Sequence, residues 1–293
     1  MKVSIVTPCH NAVATIEETI RSVLDQDGID LEYIVCDGGS TDGTAEIIRR
    51  FESRLAWWVS ECDRGQVDAI NKGFTHATGD VLGFLNGDDV LAPRTLKKVC
   101  AAFAENPNVE LVQGGIEWID FAGHPIGTHL GDIRNLEDAL DIFRVWWGNR
   151  QWVQPEVFYR RALKGRVGTF DERYNLAFDY DFWVRCFRAG ARVVRVPETF
   201  VRFRRHDAQK SIATSKANDE IRAILAENLA SSPEISARAL RRLRIELAYD
   251  LYQSASVRPS FIAALMRHPS WLFCAPVRQR IVGSFTRRVT SVY

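Results

Sequence analysis

Val81-Leu-Gly-Phe-Leu-Asn-Gly-Asp-Asp-Val90 reads as an apolar strand that runs into a turn bearing two adjacent carboxylates, Asp88 and Asp89. A hard divalent cation such as Mg2+ or Mn2+ takes oxygen ligands, and uses one or two protein carboxylates when substrate phosphates supply the others. The residues Asn-Gly-Asp-Asp are also those a plain polar turn prefers, here ahead of a helix beginning near Pro93. The choice between a metal-assisted nucleotide site and a turn depends on the segments around it.

Upstream, short β-branched runs near Val3–Thr7, Leu31–Cys36, Ala56–Ser60 and Val81–Leu85 alternate with helical patterns at Thr15–Leu24, Thr41–Phe51 and Gln66–His76. Thr15-Ile-Glu-Glu18 has capping-box spacing for the first of these helices. That alternation predicts βαβ units and a largely parallel, buried sheet. A strand near Glu110–Gly114 follows, then Ile116–Phe121 and Pro125–His129 flank Ala122-Gly123 as a hairpin at the sheet edge, so the sheet is expected to be mixed. Beyond a tryptophan-rich stretch, a helix is expected from about Ala177 to Arg188 with Gly190 as its C′ residue, then short strands at Val193–Val196 and Phe200–Arg202. Helices at Asn218–Leu229, Pro233–Gln253 and Pro259–Arg267 would form an extension over 211–293, after a main domain over 1–210.

A chain of 293 residues can bury a substantial core, and its 38 basic and 37 acidic residues leave no global case for nucleic-acid binding. The charge is unevenly placed. After Asp250 there is no acidic residue, while Arg258, Arg267, Arg278, Arg280, Arg287 and Arg288 all fall there. The six cysteines include no CxxC pair and lie mostly in apolar segments, which points to reduced core residues and a cytosolic compartment. The opening residues lack the pattern of a signal peptide, and no stretch has the apolar length of a membrane span.

The second strand ends in Asp37-Gly-Gly-Ser-Thr-Asp42-Gly-Thr44, a carboxylate followed by a flexible loop into a helix. Ligands in open α/β sheets bind at the carboxyl ends of the strands, so Asp37 is placed to accept from a nucleobase N–H, and Asp42, or else Thr41, to cap the helix. A methyltransferase also uses an acidic glycine-rich loop, but after its first strand, where this chain has Thr7-Pro-Cys-His-Asn11. That loop also lacks GxGxxG and GxxxxGK[ST], so neither a dinucleotide fold nor a P-loop enzyme is indicated.

Val3-Ser-Ile-Val-Thr-Pro-Cys-His-Asn11, Asp37–Thr44, Asp63-Arg-Gly-Gln-Val-Asp-Ala-Ile-Asn-Lys-Gly73 and Leu85-Asn-Gly-Asp-Asp89 together resemble a family 2 glycosyltransferase over roughly the first 210 residues. The resemblance implies a GT-A fold, an α/β Rossmann-like mixed sheet flanked by helices, with a UDP-, GDP- or dTDP-linked sugar donor, Mn2+ or Mg2+, and transfer with inversion to a glycan or lipid-linked acceptor. Matched by position, it implies nucleotide contacts from Thr7, Asn11, Asp37, Asp63, Arg64, Lys72 and Asn86. Lys72 and Asp68 also stand at i, i+4, the spacing of a simple helix ion pair. Asn86 stands where the family carries the first Asp of Asp-x-Asp, which leaves Asp88 as principal metal ligand with Asp89 in support.

Ala177-Phe-Asp179-Tyr-Asp181-Phe-Trp183 resembles the family's Glu-Asp-x-x-x-Trp segment with Phe178 in place of Glu, and puts Asp179 in the position of the base. Asp181 points elsewhere on a helix and reads as an ion-pair or capping carboxylate. Arg202-Phe-Arg-Arg-His206-Asp-Ala-Gln-Lys210 resembles the family's basic tail, with His206 reaching the metal and Arg205 and Lys210 facing the diphosphate. Trp146, Trp147, Trp152 and Gln154 precede a stretch resembling the acceptor side, although core packing accounts for at least half of those tryptophans.

The reading is a metal-dependent inverting glycosyltransferase. Its rivals are a catalytically silent sugar-nucleotide binding module and, more remotely, a methyltransferase using S-adenosylmethionine. The arginines flanking Trp271-Leu-Phe273 suggest contact with an anionic membrane at its inner face, against the alternative of an ordinary helical cap. The long helices would also suit a homodimer.

Overall fold

The computed structural model describes residues 1–206, 209, 214–230, 232–255, 260–274 and 277–278. In its first half, strands β1 (Lys2–Cys9), β2 (Asp30–Asp37), β3 (Trp57–Ser60) and β4 (Val81–Phe84) alternate with helices α1 (Ile16–Leu24), α2 (Thr44–Arg49) and α3 (Gln66–His76). These strands are parallel and lie in the order β3-β2-β1-β4. All four therefore end along one rim, where the loops carrying Asn11, Asp37, Asp63 and Asp88 emerge.

The sheet then becomes mixed. After the two-residue strand β5 (Val90–Leu91) come α4 (Thr95–Glu105), β6 (Leu111–Ile119), β7 (Pro125–His129), α5 (Leu136–Leu140), β8 (Val157–Arg160), α6 (Arg161–Val167), α7 (Phe178–Arg188) and β9 (Val193–Arg204). Strand β8 pairs antiparallel with both β4 and β6, and β6 runs parallel to β9. Strand β5 pairs antiparallel with β9 and β7 forms the expected hairpin with β6. The first-half helices sit within a few residues of where periodicity puts them.

Two expected breaks are bulges instead. Strand β6 continues through Gly114 and Gly115, and β9 runs unbroken past Pro197, with the register between them shifting at those residues. Glycine and proline interrupt the ladder hydrogen bonds without ending the strands, because the flanking residues stay paired. The expected capping box at α1 is also not made. Thr15 is the N-cap residue but its hydroxyl donates to the Gly87 carbonyl at 2.8 Å. A π-helical turn at Ile142–Trp146 and the elements α5, β8 and α6 were not legible from periodicity.

Strand alternation gives the sheet two apolar faces. Val3, Ile5, Tyr33 and Val35 pack with Ile16, Ile20, Leu96 and Phe103 on one side. Val6, Ile34, Leu82 and Phe84 pack with Ile70, Phe74, Phe178 and Phe182 on the other. The second face also takes in Ile221, Ile224 and Leu225 of α8 (Thr214–Ala230) and Leu243 and Leu247 of α9 (Ala237–Ser254). The start of the helical extension is thus built onto the same core as the sheet. Helix α10 (Phe261–Arg267) and the 3-10 turn Pro269–Phe273 pack with the end of α9 around Tyr249 and Trp271.

Gly190 lies at φ +78 behind α7 and donates its N–H to the Phe187 carbonyl, the C′ role expected of it. All six cysteines are free, and Cys62 differs from the expected core placement by being exposed. No helix among the described residues is long and apolar enough to cross a membrane.

Gly73 lets α3 lie directly on β1, since a Cβ there would overlap Val6 Cγ1 and come within 3.1 Å of Cys36 Sγ. Gly73→Ala is expected to destabilise the fold by ~1–3 kcal/mol, because two buried neighbours would have to move. Urea denaturation measures this, and an unchanged midpoint would contradict the close packing.

Candidate active site at the carboxyl rim of the sheet

The acidic turn after β4 is held from two directions. From α1, the Thr15 hydroxyl donates to the Gly87 carbonyl and the Thr19 hydroxyl to the Asp89 carbonyl, at 2.8 and 2.7 Å. From the end of β9, Arg204 is 2 % exposed and reaches several groups at once. Its backbone N–H donates to Asp89 Oδ1 at 3.0 Å and its Nε to the Asp88 carbonyl at 2.9 Å. Its Nη1 donates to the Phe121 carbonyl and its Nη2 to Glu18 Oε2. Two residues further on, His206 Nε2 lies 3.0 Å from Asp88 Oδ2, joining groups 118 residues apart in the chain.

This arrangement separates the two carboxylates. Asp88 lines a cleft of about 1840 Å³, whereas Asp89 is fully buried with its oxygens accepting from Arg204 and Asn86. Burial and the adjacent charge of Asp88 push the Asp89 carboxyl well above the usual range. Asp89 therefore lies beneath the turn and not among the residues that line the cleft, where it was expected beside Asp88 in support of the metal.

Asp179 lines the same cleft, at the start of α7. Glu220 of α8 accepts the backbone N–H groups of Asn175, Leu176 and Ala177 at 3.2, 2.8 and 2.8 Å, and so caps the segment that leads into α7. Desolvation by burial raises the Asp179 carboxyl to about 6; the Tyr180 N–H opposes this and the charge of Glu220 adds to it. Asp181 points away and pairs with Arg185 at 2.8 Å, as expected.

The cleft also collects Asn11, Asp63, Arg64, Asn86, Arg205, Trp152 and Gln154. Asn11 is held at φ +49, its side-chain oxygen accepting from the Thr41 N–H. Arg64 is largely exposed and pairs with Asp68 and Glu172. Arg205 lies 3.9 Å from the centre of the Trp118 ring, a cation–π contact at the cleft wall.

Three expected contacts do not face the cleft. The Thr7 hydroxyl is buried against Tyr33 OH at 3.0 Å, because alternation along β1 turns it into the core. The Asp37 carboxylate is 2 % exposed and filled by hydroxyl donors from Ser40 and Ser60 and by the Ser40 N–H, so it shapes the loop after β2. Lys72 pairs with Glu61 at 2.7 Å, while its expected helix partner Asp68 is taken by Arg64. Lys210 lies outside the described residues.

Other residues at the site carried no readable signal. Arg204 looked like one basic residue among several, and Glu220 lay in a helix with no link to α7 in the sequence. Trp118, Phe121 and Phe203 form an aromatic wall of the cleft beside His206. Gln151 and Gln154 line it with buried amide oxygens that have no partner among the described residues. Buried acceptors of that kind call for a donor from a ligand or water.

Among the described residues no three His, Cys, Asp or Glu side chains gather as a complete metal cage. Asp88 and His206 nonetheless converge as a carboxylate–imidazole pair open to the cleft. Such a pair fits a cation that takes its remaining ligands from a diphosphate and water.

The comparisons with known proteins agree with this architecture. The family model described as "Glycosyl transferase family 2" matches residues 4–166. A protein of Mycobacterium tuberculosis named "PGL/p-HBAD biosynthesis glycosyltransferase" is 34% identical over 196 residues, 66% of this chain and 72% of its own. Among solved structures, S. aureus TarS 1-349 in complex with UDP-GlcNAc superposes with TM-score 0.63 at 18% identity, covering 93% of this chain and 79% of that one. The mannosyltransferase PcManGT from Pyrobaculum calidifontis, in complex with GDP-Man and Mn2+, superposes with TM-score 0.60 at 20% identity, covering 94% and 82%. The mixed sheet with its flanking helices is thus the GT-A fold, and the chain belongs to glycosyltransferase family 2.

Proposed function

We propose that this glycosyltransferase moves a sugar from a nucleoside-diphosphate donor to an acceptor hydroxyl with inversion, and that Asp179 is the base. The observation that carries this reading is that Asp88 and Asp179, from distant parts of the chain, open into one cleft. In a single displacement the acceptor oxygen attacks the anomeric carbon, the proton passes to a carboxylate and the nucleoside diphosphate departs from the opposite face. A carboxylate near 6 is a competent base at neutral pH.

Asn11, Asp63 and Arg64 are the groups for the nucleoside side, since they border the cleft beside the loop that Asp37 shapes. Asp88 and His206 would hold Mn2+ or Mg2+, which supplies positive charge to the leaving diphosphate. Arg205 adds a guanidinium on that side. Gln154 and Gln151 offer acceptor oxygens to sugar hydroxyls, and Trp118, Phe121 and Phe203 offer an apolar wall. That wall suits an acceptor with an apolar portion, such as a lipid-linked glycan, handled at a membrane surface.

Asp179→Asn is expected to lower kcat by ~10²–10⁴-fold while nucleoside diphosphate with Mn2+ still raises the Tm. Near wild-type turnover would remove Asp179 from the base role. His206→Ala is expected to raise the Mn2+ concentration needed for half-maximal rate by about tenfold or more, the range typical of lost metal-site groups. An unchanged Mn2+ titration would exclude His206 as a ligand.

The base must be ionised to accept a proton. The rate of sugar transfer should therefore fall as pH drops through about 6, and this limb should be absent from the residual activity of Asp179→Asn. A wild-type acid limb near the ordinary carboxylate value of 3.8 would show that Asp179 is not held in the raised state.

A further inference from the structure

Away from the catalytic cleft, a second cavity of about 930 Å³ opens between α9, the π-helical turn at Ile142–Trp146 and the 3-10 turn Pro269–Phe273. Five arginines line it, Arg144, Arg238, Arg241, Arg242 and Arg278, against the two glutamates Glu137 and Glu246. Arg238, Arg241 and Arg242 share one face of α9 through their i, i+3, i+4 spacing. Arg144 is committed to Glu246 and Arg242 to Asp141, each at 2.6 Å. Arg238, Arg241 and Arg278 have no carboxylate partner among the described residues. The cavity therefore keeps a positive surplus.

Phe273, which lines this cavity, is 72 % exposed, and Ile262 and Met266 on α10 are 72 % and 79 % exposed. These are the three most exposed large apolar side chains among the described residues, and they fall within one short stretch of chain. Leu272 is a further 47 % exposed. Trp271, by contrast, is buried between Tyr249, Tyr252 and His268, so it secures the turn from inside. Ile262 and Met266 stand one helical turn apart on the same face of α10.

Unpaired guanidinium groups that share a cavity with the bare Phe273 ring, next in the fold to an α10 that exposes Ile262 and Met266, match the two layers of an anionic bilayer surface, phosphate above and acyl chain below. We propose that this face is a membrane-contact surface, with the phosphate of an anionic phospholipid in the arginine cavity and Ile262, Met266 and Phe273 entering the interface. Charge complementarity favours this occupant. A soluble phosphate has no use for the apolar rim, and a neutral apolar partner has none for the arginines. The inference agrees with the lipid-linked acceptor proposed above but is measured without donor or acceptor, so either can fail alone.

The test is flotation of the full chain with vesicles of phosphatidylcholine alone or mixed with phosphatidylglycerol. Wild type is expected to float with the anionic vesicles and much less with the neutral ones. Arg238→Ala/Arg241→Ala should weaken anionic-vesicle binding by about tenfold or more. Met266→Ser/Phe273→Ser should weaken it as well, and Tm values with nucleoside diphosphate and Mn2+ should stay at the wild-type level in both variants. Equal flotation of wild type and the two variants would overturn the proposal, as would no flotation of wild type on any vesicle. Binding that millimolar inorganic phosphate or a soluble polyanion abolishes, with no dependence on Phe273, would also overturn it in favour of a soluble anion.

Discussion

The buried contact between Asp89 and Arg204 is the constraint on which the site depends. A strand that ends the parallel half of the sheet must meet a strand that ends the mixed half, and the Arg204 N–H on Asp89 closes that gap across 115 residues. Because the arginine side chain also holds the Asp88 carbonyl, the hairpin turn at Phe121 and Glu18 of α1, the position of one residue is transmitted to three elements. Loss of one of these partners is costly because it leaves a buried guanidinium short of an acceptor. The result is that the Asp88 and His206 side chains meet at the cleft.

In the same cleft, placement of Asp179 depends on the helical extension. Glu220 satisfies backbone donors that would otherwise be orphaned ahead of α7, and Ile221, Ile224 and Leu225 bury the same helix in the sheet's core. The extension therefore contributes to the geometry of the cleft through α8, and carries arginines without carboxylate partners on α9 and exposed apolar side chains on α10. Physical chemistry divides the two jobs by burial: the carboxylate and aliphatic groups of α8 point into the fold, and the unpaired arginines of α9 point out of it.

Much of this was legible in the sequence because period-2 and period-3.6 patterns decide which face is buried, and β1 to β4 with α1 to α3 fall where the patterns place them. The pairing of Asp88 with His206 was also foreseeable, through the motif that carries each. Thr7, Asp37, Lys72 and Asp89 show the limit. Thr7, Asp37 and Asp89 lie at or just after strand ends and Lys72 lies within α3, yet side-chain direction depends on strand parity, helix face and which hydroxyl, carboxylate or arginine arrives from elsewhere, and no local pattern encodes that arrival. Arg204 and Glu220 were missed for the same reason: an arginine in a basic run and a glutamate in a helix reveal their roles only once their distant partners are known. Gly115 and Pro197 misled in another way, since residues that commonly end strands here produce bulges within continuous ones.

The central claim is that one cleft brings a diphosphate-facing pair, Asp88 and His206, together with a base, Asp179. A crystal structure of the chain with a nucleoside diphosphate and Mn2+, read by the anomalous signal of the metal, tests it most directly. The account predicts Mn2+ bonded to Asp88, His206 and the diphosphate, with the Asp179 carboxylate across the cleft from the leaving group. Mn2+ and diphosphate bound away from Asp88, or Asp179 sealed off from the nucleotide, would contradict it.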